Sequence, residues 1–462
     1  MKMTALSAMY SVVPAGCMTA SVSAGKRKKP NVVIIFLDDS GWSDFEPFGK
    51  PQYKTPNVKK LAEDGCRYNN FYVPQAVCSA SRASLLSGCF PGRSKVFGAH
   101  PPRGAGLNPK FAIMPEVFGR NGYKTAIFGK WHIGDQDGRR PWDRGFDESC
   151  GLLYSNDMWE YHLQNPGFWG KYPLQYFENG KSKIDRVTKK DQTMLTTWYT
   201  DKAVDFITRS KDNPFFLYVP HSMPHVPLYV SDKFAGKSGA GLYGDVMMEI
   251  DWSVGQITKA LKDNGVENDT IVIFSSDNGP WLVFGNHGGK TPFRQGKGTG
   301  FDGGVRSACI IKYPGKIAPG LASEQMFSTV DLMPTLAKLT GSDLPDSTID
   351  GKDVWDIIEG KGGAKNPHEY YPFSTGVTFE GVISGDGRWK LHIPHGYYTV
   401  VKAGKDGMHG QYKQMKIDLS LFDMKNDPYE TKDVKADHRE ILKRMIAFAK
   451  KHQSKFYPKQ PF

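Results

Sequence analysis

The sequence predicts an α/β fold: a large, mainly parallel sheet flanked by helices, followed by a small C-terminal subdomain built on an antiparallel sheet. Three observations predict it. Four separate apolar runs are continuous rather than alternating, as in strands buried on both faces of a parallel sheet. Strand and helix signals alternate from residue 30 to about residue 340, the pattern of βαβ units. Beyond a linker-like stretch at residues 360–368, two strand-like segments (Gly381–Ile393 and Ile417–Met424) precede a closing helix over His438–Gln453.

The elements follow in order. The first run, Asn31–Leu37, leads into Asp38-Asp39, and helices are expected around Asn57–Asp64, from near Ser79, and around Met114–Asn121. The second run, Lys124–Gly129, leads into Lys130-Trp131-His132, and a Gly/Pro-rich loop covers Asp135–Gly145. A helix over Gln192–Ser210 precedes the third run, Pro214–Val219, which leads into His221 and His225. The next helix, Tyr243–Asn264, carries Val246, Met247, Ile250, Val254, Ile257 and Leu261 at helical spacing. The fourth run, Thr270–Phe274, leads into Ser276-Asp277-Asn278-Gly279, followed by a loop at Gly285–Gly304 and a helix at Val330–Leu339. In open α/β sheets, ligand sites lie beyond the carboxyl ends of the strands. That rule gathers these carboxylates, lysines and histidines onto one sheet edge.

The 462 residues accommodate one large and one smaller domain. The expected division is a leader over residues 1–24, a catalytic α/β domain over 25–365 and a C-terminal subdomain over 366–462. Sixty Lys+Arg against 48 Asp+Glu leave a net charge of +12. This is read either as a solvated basic surface or as attraction for an anionic substrate. No basic repeat, zinc-finger spacing or RNA-binding aromatic motif points to nucleic acid. No apolar run approaches the ~20 residues that span a membrane. The first 24 residues are poor in acids, and Val22-Ser23-Ala24 resembles a cleavage site before Gly25-Lys26-Arg27-Lys28-Lys29. Export to the periplasm, the cell surface or the medium is therefore expected. The six cysteines show no metal-ligand spacing, so buried free thiols are expected for most, with Cys66–Cys89 the candidate bridge in an exported chain.

The most specific stretch is Cys78-Ser79-Ala80-Ser81-Arg82-Ala83-Ser84-Leu85-Leu86-Ser87-Gly88. A helix starting near Ser79 puts Cys78 at its N-terminus and Arg82 one turn later on the same face. A helix N-terminus with a forked cation beside it suits an anion such as sulfate or phosphate. Asp38, Asp39, Asp277 and Asn278 are hard oxygen donors at two converging strand ends. They suit Ca²⁺ first and Mg²⁺ second, and no cysteine or histidine cluster argues for zinc.

Cys78-x-Ala80-x-Arg82, followed by Ala-Ser-Leu-Leu-Ser-Gly, resembles the signature of the formylglycine-dependent sulfatase family, with Ala80 where Pro is commoner. Asp38-Asp39-Ser-Gly-Trp42, Gly129-Lys130-Trp131-His132, Pro224-His225-Val-Pro227, Ser276-Asp277-Asn278-Gly279 and Arg294-Gln-Gly-Lys297 resemble its other motifs, in order over residues 30–435. The resemblance implies an alkaline-phosphatase-like fold and a Cys78 converted to formylglycine by a maturation enzyme. It also implies sulfate-binding Lys130 and Lys297, His132 as the base of the release step, and His225 with Lys297 as proton donors to the leaving alcohol. The implied activity is hydrolysis of sulfate esters, with a sulfated glycan or a small sulfate ester as substrate. His221, His287 and His395 are expected as weaker substrate-binding candidates. Two competing readings are a phosphatase or phosphonate hydrolase on the same fold and a catalytically inactive glycan-binding homologue.

Overall fold

The computed structural model describes residues 29–462. The leader expected over residues 1–24, with Cys17, lies outside the described residues. The apolar runs form strands whose side chains alternate between two cores. In β1 (Asn31–Leu37), Val33, Ile35 and Leu37 enter one core with the helices Lys189–Ser210 and Gly241–Asp263. Val32, Ile34 and Phe36 enter the other, with the helices Cys78–Ser87, Met114–Arg120 and Thr329–Thr340. A strand covered on both faces needs apolar residues at every position, which is why these runs do not alternate.

The remaining strands of the large sheet are β2 (Cys66–Tyr72), β3 (Lys124–Phe128), β4 (Glu148–Leu152), β5 (Tyr176–Glu178), β6 (Lys181–Ile184), β7 (Phe215–Pro220), β8 (Thr270–Ser276), β9 (Arg306–Lys312) and β10 (Leu321–Ser328). Their order is β10-β2-β9-β8-β1-β7-β3-β4-β5-β6. The centre, β8-β1-β7-β3-β4, is parallel throughout. β9 runs antiparallel to both β8 and β2, and β5 and β6 add an antiparallel edge. The register pairs Phe36 with Pro220 and Leu37 with Ser276, so the carboxyl ends of β1, β7 and β8 finish level.

The helices obey the expected periodicity. Gly241–Asp263 buries Val246, Met247, Ile250, Val254, Ile257 and Leu261, one stripe at i, i+3, i+4 spacing. Lys189–Ser210 starts three residues earlier than the sequence reading placed it. Thr188 caps it: its Oγ1 accepts from the Asp191 N–H, and the Asp191 carboxylate accepts from the Thr188 N–H in return. Such a box stabilises a helix start by about 1 kcal/mol.

The C-terminal part contains β11 (Tyr370–Thr375), β12 (Thr378–Ser384), β13 (Trp389–His392), β14 (His395–Lys402), β15 (Gln411–Ile417) and β16 (Ser420–Asp423). β11-β12-β13-β16 form an antiparallel sheet, and β14-β15 form a separate ribbon. The helix Arg439–Phe456 covers the four-stranded sheet, placing Met445 and Ala449 against Val382, Leu391 and Leu421. The stretch 360–368, expected as a linker, is tied to the main body. The Asn366 amide donates to the Met326 carbonyl (2.7 Å), and His368 Nε2 pairs with Asp331 (2.7 Å). On the other side, Gln75 Nε2 donates to Ser374 Oγ (2.8 Å), so the small sheet braces the segment that leads into Cys78.

Candidate active site

The level strand ends bring the polar clusters together. The Asp277 N–H donates to Leu37 O (3.0 Å), and the Lys130 N–H donates to Pro220 O (2.7 Å). These bonds clamp the exits of β8 and β1, and of β3 and β7, in pairs. Gly129 makes the turn into Lys130 at φ +145°, and a Cβ there would lie 2.0 Å from the Pro220 carbonyl oxygen. Asp39 and His132 adopt φ +67° and +61°, conformations that cost free energy in non-glycine residues and cluster at functional sites. The Asp39 N–H donates to Asp277 Oδ1 (3.1 Å), which repays part of that cost.

Cys78 begins the buried helix Cys78–Ser87, and its Sγ lies 3.5 Å from Asp38 Oδ1. Asp38, Asp39, Cys78 and His225 each present a ligand atom within 4.8 Å of the others. The helix is buried along its whole length, and its small Ser and Ala side chains permit that. The Ala80 N–H is already committed to Gly98 O (3.2 Å), so the helix start offers fewer free donors than the sequence suggests.

Arg82 departs from expectation. Its Nε and Nη2 both donate to Asp277 Oδ2 (3.0 and 2.9 Å), and Nη1 donates to Lys130 O (3.0 Å). Nη2 also lies 3.4 Å from Asp38 Oδ2. The guanidinium fork is spent on positioning carboxylates, so it is not the anion-facing cation that the helix spacing implied.

Lys130 pairs with Asp38 and donates to Ser155 Oγ (3.1 Å); Lys297 pairs with Asp39 (2.7 Å). Three carboxylates (Asp38, Asp39, Asp277) thus face three cations (Arg82, Lys130, Lys297). Burial alone drives the Asp38 carboxyl upward, but Lys130 and Arg82 outweigh it and hold the group well below the usual carboxylate range. Burial, with Asp38 close by, pushes Asp277 up. The Cys78 thiol is raised by burial and by the Asp38 carboxylate, so the unmodified sulfur is protonated near neutrality.

The two active-site histidines have fixed tautomers. His132 Nε2 lies 3.0 Å from His100 O, and a carbonyl only accepts, so Nε2 carries the proton. Its Nδ1 is buried without a partner and is a free base. Burial and Lys130 hold His132 well below the ordinary histidine value, so the ring is neutral. His225 Nδ1 is similarly committed to Val226 O (2.5 Å), leaving Nε2 toward Asp39 at 3.5 Å.

The donor set fits a hard divalent cation. Asp38, Asp39 and Asp277 supply carboxylate oxygens, and the buried Asn278 Oδ1 has no partner while its amide nitrogen donates to Asp39 Oδ1 (2.7 Å). An orphaned amide oxygen beside three carboxylates is what an oxygen-ligated cation requires.

Three weaker candidates stand elsewhere. His221 follows β7 but turns behind the sheet: its Nε2 meets Ser253 Oγ (3.1 Å) and its ring packs near Tyr199, so it does not reach the pocket. Its Nδ1 is also unpartnered, so an orphaned atom alone does not mark a site. His395 is buried in the C-terminal subdomain, with Nε2 on His392 (3.1 Å) and Nδ1 near Gly396 O (3.1 Å) and Glu380 (3.4 Å). His287 is half-buried on the 3₁₀ turn Leu282–His287, and burial lowers it. Cys66 and Cys89 are free thiols, not a bridge; the Cys89 thiol donates to Ser87 O (3.5 Å). Sequence reasoning missed Ser155 and Tyr412. Tyr412 accepts the indole N–H of Trp281 (3.0 Å), and Lys297 Nζ sits 4.0 Å over the Trp281 ring. An isolated Ser or Tyr carries no local signal for such contacts.

A family model described as Sulfatase matches residues 30–342. Arylsulfatase A of Bos taurus is 34% identical over 397 residues, covering 81% of this chain and 77% of its own. N-acetylgalactosamine-6-sulfatase of Rattus norvegicus is 31% identical over 500 residues, covering 99% and 92%. The crystal structure of PsFucS1 sulfatase from Pseudoalteromonas sp. superposes with a TM-score of 0.82 at 26% identity, covering 94% of this chain and 92% of its own. With the strand-end carboxylates, the buried lysines and the Cys78 helix start in one pocket, these matches make the chain a member of the sulfatase family, the enzymes that hydrolyse sulfuric esters.

Proposed function

We propose that this sulfatase removes sulfate from a sulfated carbohydrate, with Cys78 matured to formylglycine and a Ca²⁺ ion (Mg²⁺ second) held by Asp38, Asp39, Asp277 and Asn278. The observation that carries this reading is the Cys78 side chain 3.5 Å from Asp38, in a buried cluster where His132 Nδ1 and Asn278 Oδ1 have no partner. A protonated, buried thiol is a poor nucleophile. The hydrated aldehyde would supply two hydroxyls on one carbon, one to attack sulfur and one to expel sulfate. The bound cation would offset charge on a sulfate oxygen.

The chain's own residues have distinct tasks. Lys130 and Lys297 provide point charges for the sulfate oxygens. His132 Nδ1 takes the proton in the release step, because its Nε2–H is committed to His100. His225, once protonated at Nε2, donates to the leaving alcohol oxygen together with Lys297. Arg82 keeps Asp277 and Asp38 in place. The carbohydrate substrate is supported by the relative named for N-acetylgalactosamine 6-sulfate and by the excess positive charge. Small aryl sulfates are also expected to turn over. Export through the leader fits this substrate, and a formylglycine-generating enzyme is the required partner. Among the described residues no helix is long and apolar enough to cross a membrane.

The test sets sulfate release from sulfated sugars beside hydrolysis of matched phosphate esters. A clear phosphate preference would overturn the reading in favour of a phosphatase. Peptide mass across Cys78, after co-expression with a maturation enzyme, should show the CH₂SH-to-CHO change.

A further inference from the structure

The catalytic atoms are buried, and one wall continues outward from them. Trp281 starts it: its ring lies 5.3 Å from His225 and carries Lys297 Nζ at 4.0 Å. Trp281 is half-buried, and its indole N–H donates to Tyr412 Oη on β15 (3.0 Å), which fixes the ring's orientation. Tyr412 lies 5.9 Å from Tyr398 of β14, and these rings are 37% and 58% exposed. The register pairs Tyr398 with Gln414 and Val400 with Tyr412, so alternation puts Tyr398, Tyr412, Gln414 and Lys416 on one face of the ribbon. The ribbon is tied to the active-site turn, because the N–H groups of Gly404 and Gly410 both donate to Val283 O (2.8 and 3.0 Å). Its other face is braced: Arg294 Nη2 reaches Tyr397 Oη (3.2 Å) and Gln295 Nε2 reaches Thr399 Oγ1 (3.1 Å).

We propose that Trp281, Tyr412 and Tyr398 form a stacking platform that seats the sugar bearing the scissile sulfate and the sugar next to it, with Lys416 facing the anionic chain. The proposal rests on the carbohydrate-sulfatase reading above. Continuity with Lys297 and His225 argues for this occupant. A sulfate held at Lys297 leaves its sugar at the pocket mouth, where Trp281 and Tyr412 stand. Aromatic rings offer a pyranose rigid, flat apolar area with a polar tip.

The test compares Tyr398→Ala and Tyr412→Phe with the unaltered enzyme. The probes are oligosaccharides carrying N-acetylgalactosamine 6-sulfate, galactose 6-sulfate or glucosamine 6-sulfate, and the small ester 4-nitrophenyl sulfate. The expected result is a fall of roughly tenfold or more in the ratio of kcat/KM for the best oligosaccharide over 4-nitrophenyl sulfate, expressed mainly in KM. An unchanged ratio in both variants, with oligosaccharide turnover intact, would overturn the platform and leave the sulfatase reading standing. A second measurement titrates the same oligosaccharides into Cys78→Ala protein, with and without Tyr398→Ala. Binding that Tyr398→Ala weakens, from a parent enzyme that releases no sulfate, would keep the platform and strike the carbohydrate-sulfatase reading. Binding of equal strength in both proteins would remove the platform.

Discussion

Two buried charge clusters differ in what they leave open. At the strand ends, Asp38, Asp39 and Asp277 face Arg82, Lys130 and Lys297, and two neighbouring acceptors, His132 Nδ1 and Asn278 Oδ1, are unpartnered. Between the large and small sheets, Asp302 and Glu430 face Lys390, Arg306 and His392, and every carboxylate oxygen is engaged. Asp302 takes Lys390 (2.8 Å), Tyr72 (2.8 Å) and Arg306 (3.4 Å); Glu430 takes Lys390 (3.2 Å), His392 (2.8 Å) and the Asp302 N–H (2.6 Å). Burial and ion pairing are common to both. The saturated cluster is a joint, and the unsaturated one has capacity left for a ligand.

The largest effect should come from the open cluster. Cys78→Ala should lower kcat by more than about 10⁴-fold while the thermal midpoint stays close to that of the parent, because only one small side chain is lost. Comparable activity in that variant would remove the nucleophile. The saturated cluster should respond in the opposite sense. Glu430→Ala strands the Lys390 and His392 partners in the interior and should cost about 3–5 kcal/mol in denaturant unfolding, with far less loss of kcat per folded molecule than Cys78→Ala. A stable but inactive variant would erase the contrast.

Asn278→Ala removes the free amide oxygen. It should weaken calcium affinity and rate by at least roughly tenfold, and chelation should silence the parent enzyme until Ca²⁺ is returned. A chelator-insensitive rate would refute the metal assignment. The last effect is on acid stability alone and concerns His452, which is packed among Phe90, Tyr370, Phe379, Phe456 and Tyr457. Burial lowers it from 6.5 to about 3. The unfolded chain therefore takes up this proton first. The associated stability is full above pH 6.5 and is lost as pH falls toward 3. Between pH 6.5, where the unfolded histidine is half protonated, and pH 4.5, the linkage integral gives about 2.3 kcal/mol. His452→Gln should flatten the acid limb of stability by that order; parallel curves for the two proteins would rule the contribution out.

Much of the fold was legible. Asn31–Leu37, Phe215–Pro220 and Thr270–Ser276 announce themselves because strands covered on both faces must be apolar throughout. The antiparallel β9, inserted between β8 and β2, was not foreseen, since strand direction depends on where a distant segment docks. The strand-end part of the open cluster was legible for a related reason: Asp38, Asp39, Lys130 and Asp277 directly follow buried strands and Cys78 starts a buried helix, whereas Lys297 lies on a loop and was read only through the family resemblance. The second cluster was not, nor was the packing of His395 beside His392 and Glu380.

The chain's local pattern decided which segments become strands and helices, and that Asp38, Lys130, His225 and Asp277 leave the sheet on one edge. Tertiary pairing decided the rest: that His225 rather than His221 enters the pocket, that Arg82 serves carboxylates rather than an anion, that Cys66 and Cys89 stay apart, and that Tyr412 reaches Trp281. Periodicity and turn chemistry act over a few residues, whereas a side chain's partner is set by elements more than a hundred residues away, as Arg82 and Asp277 are.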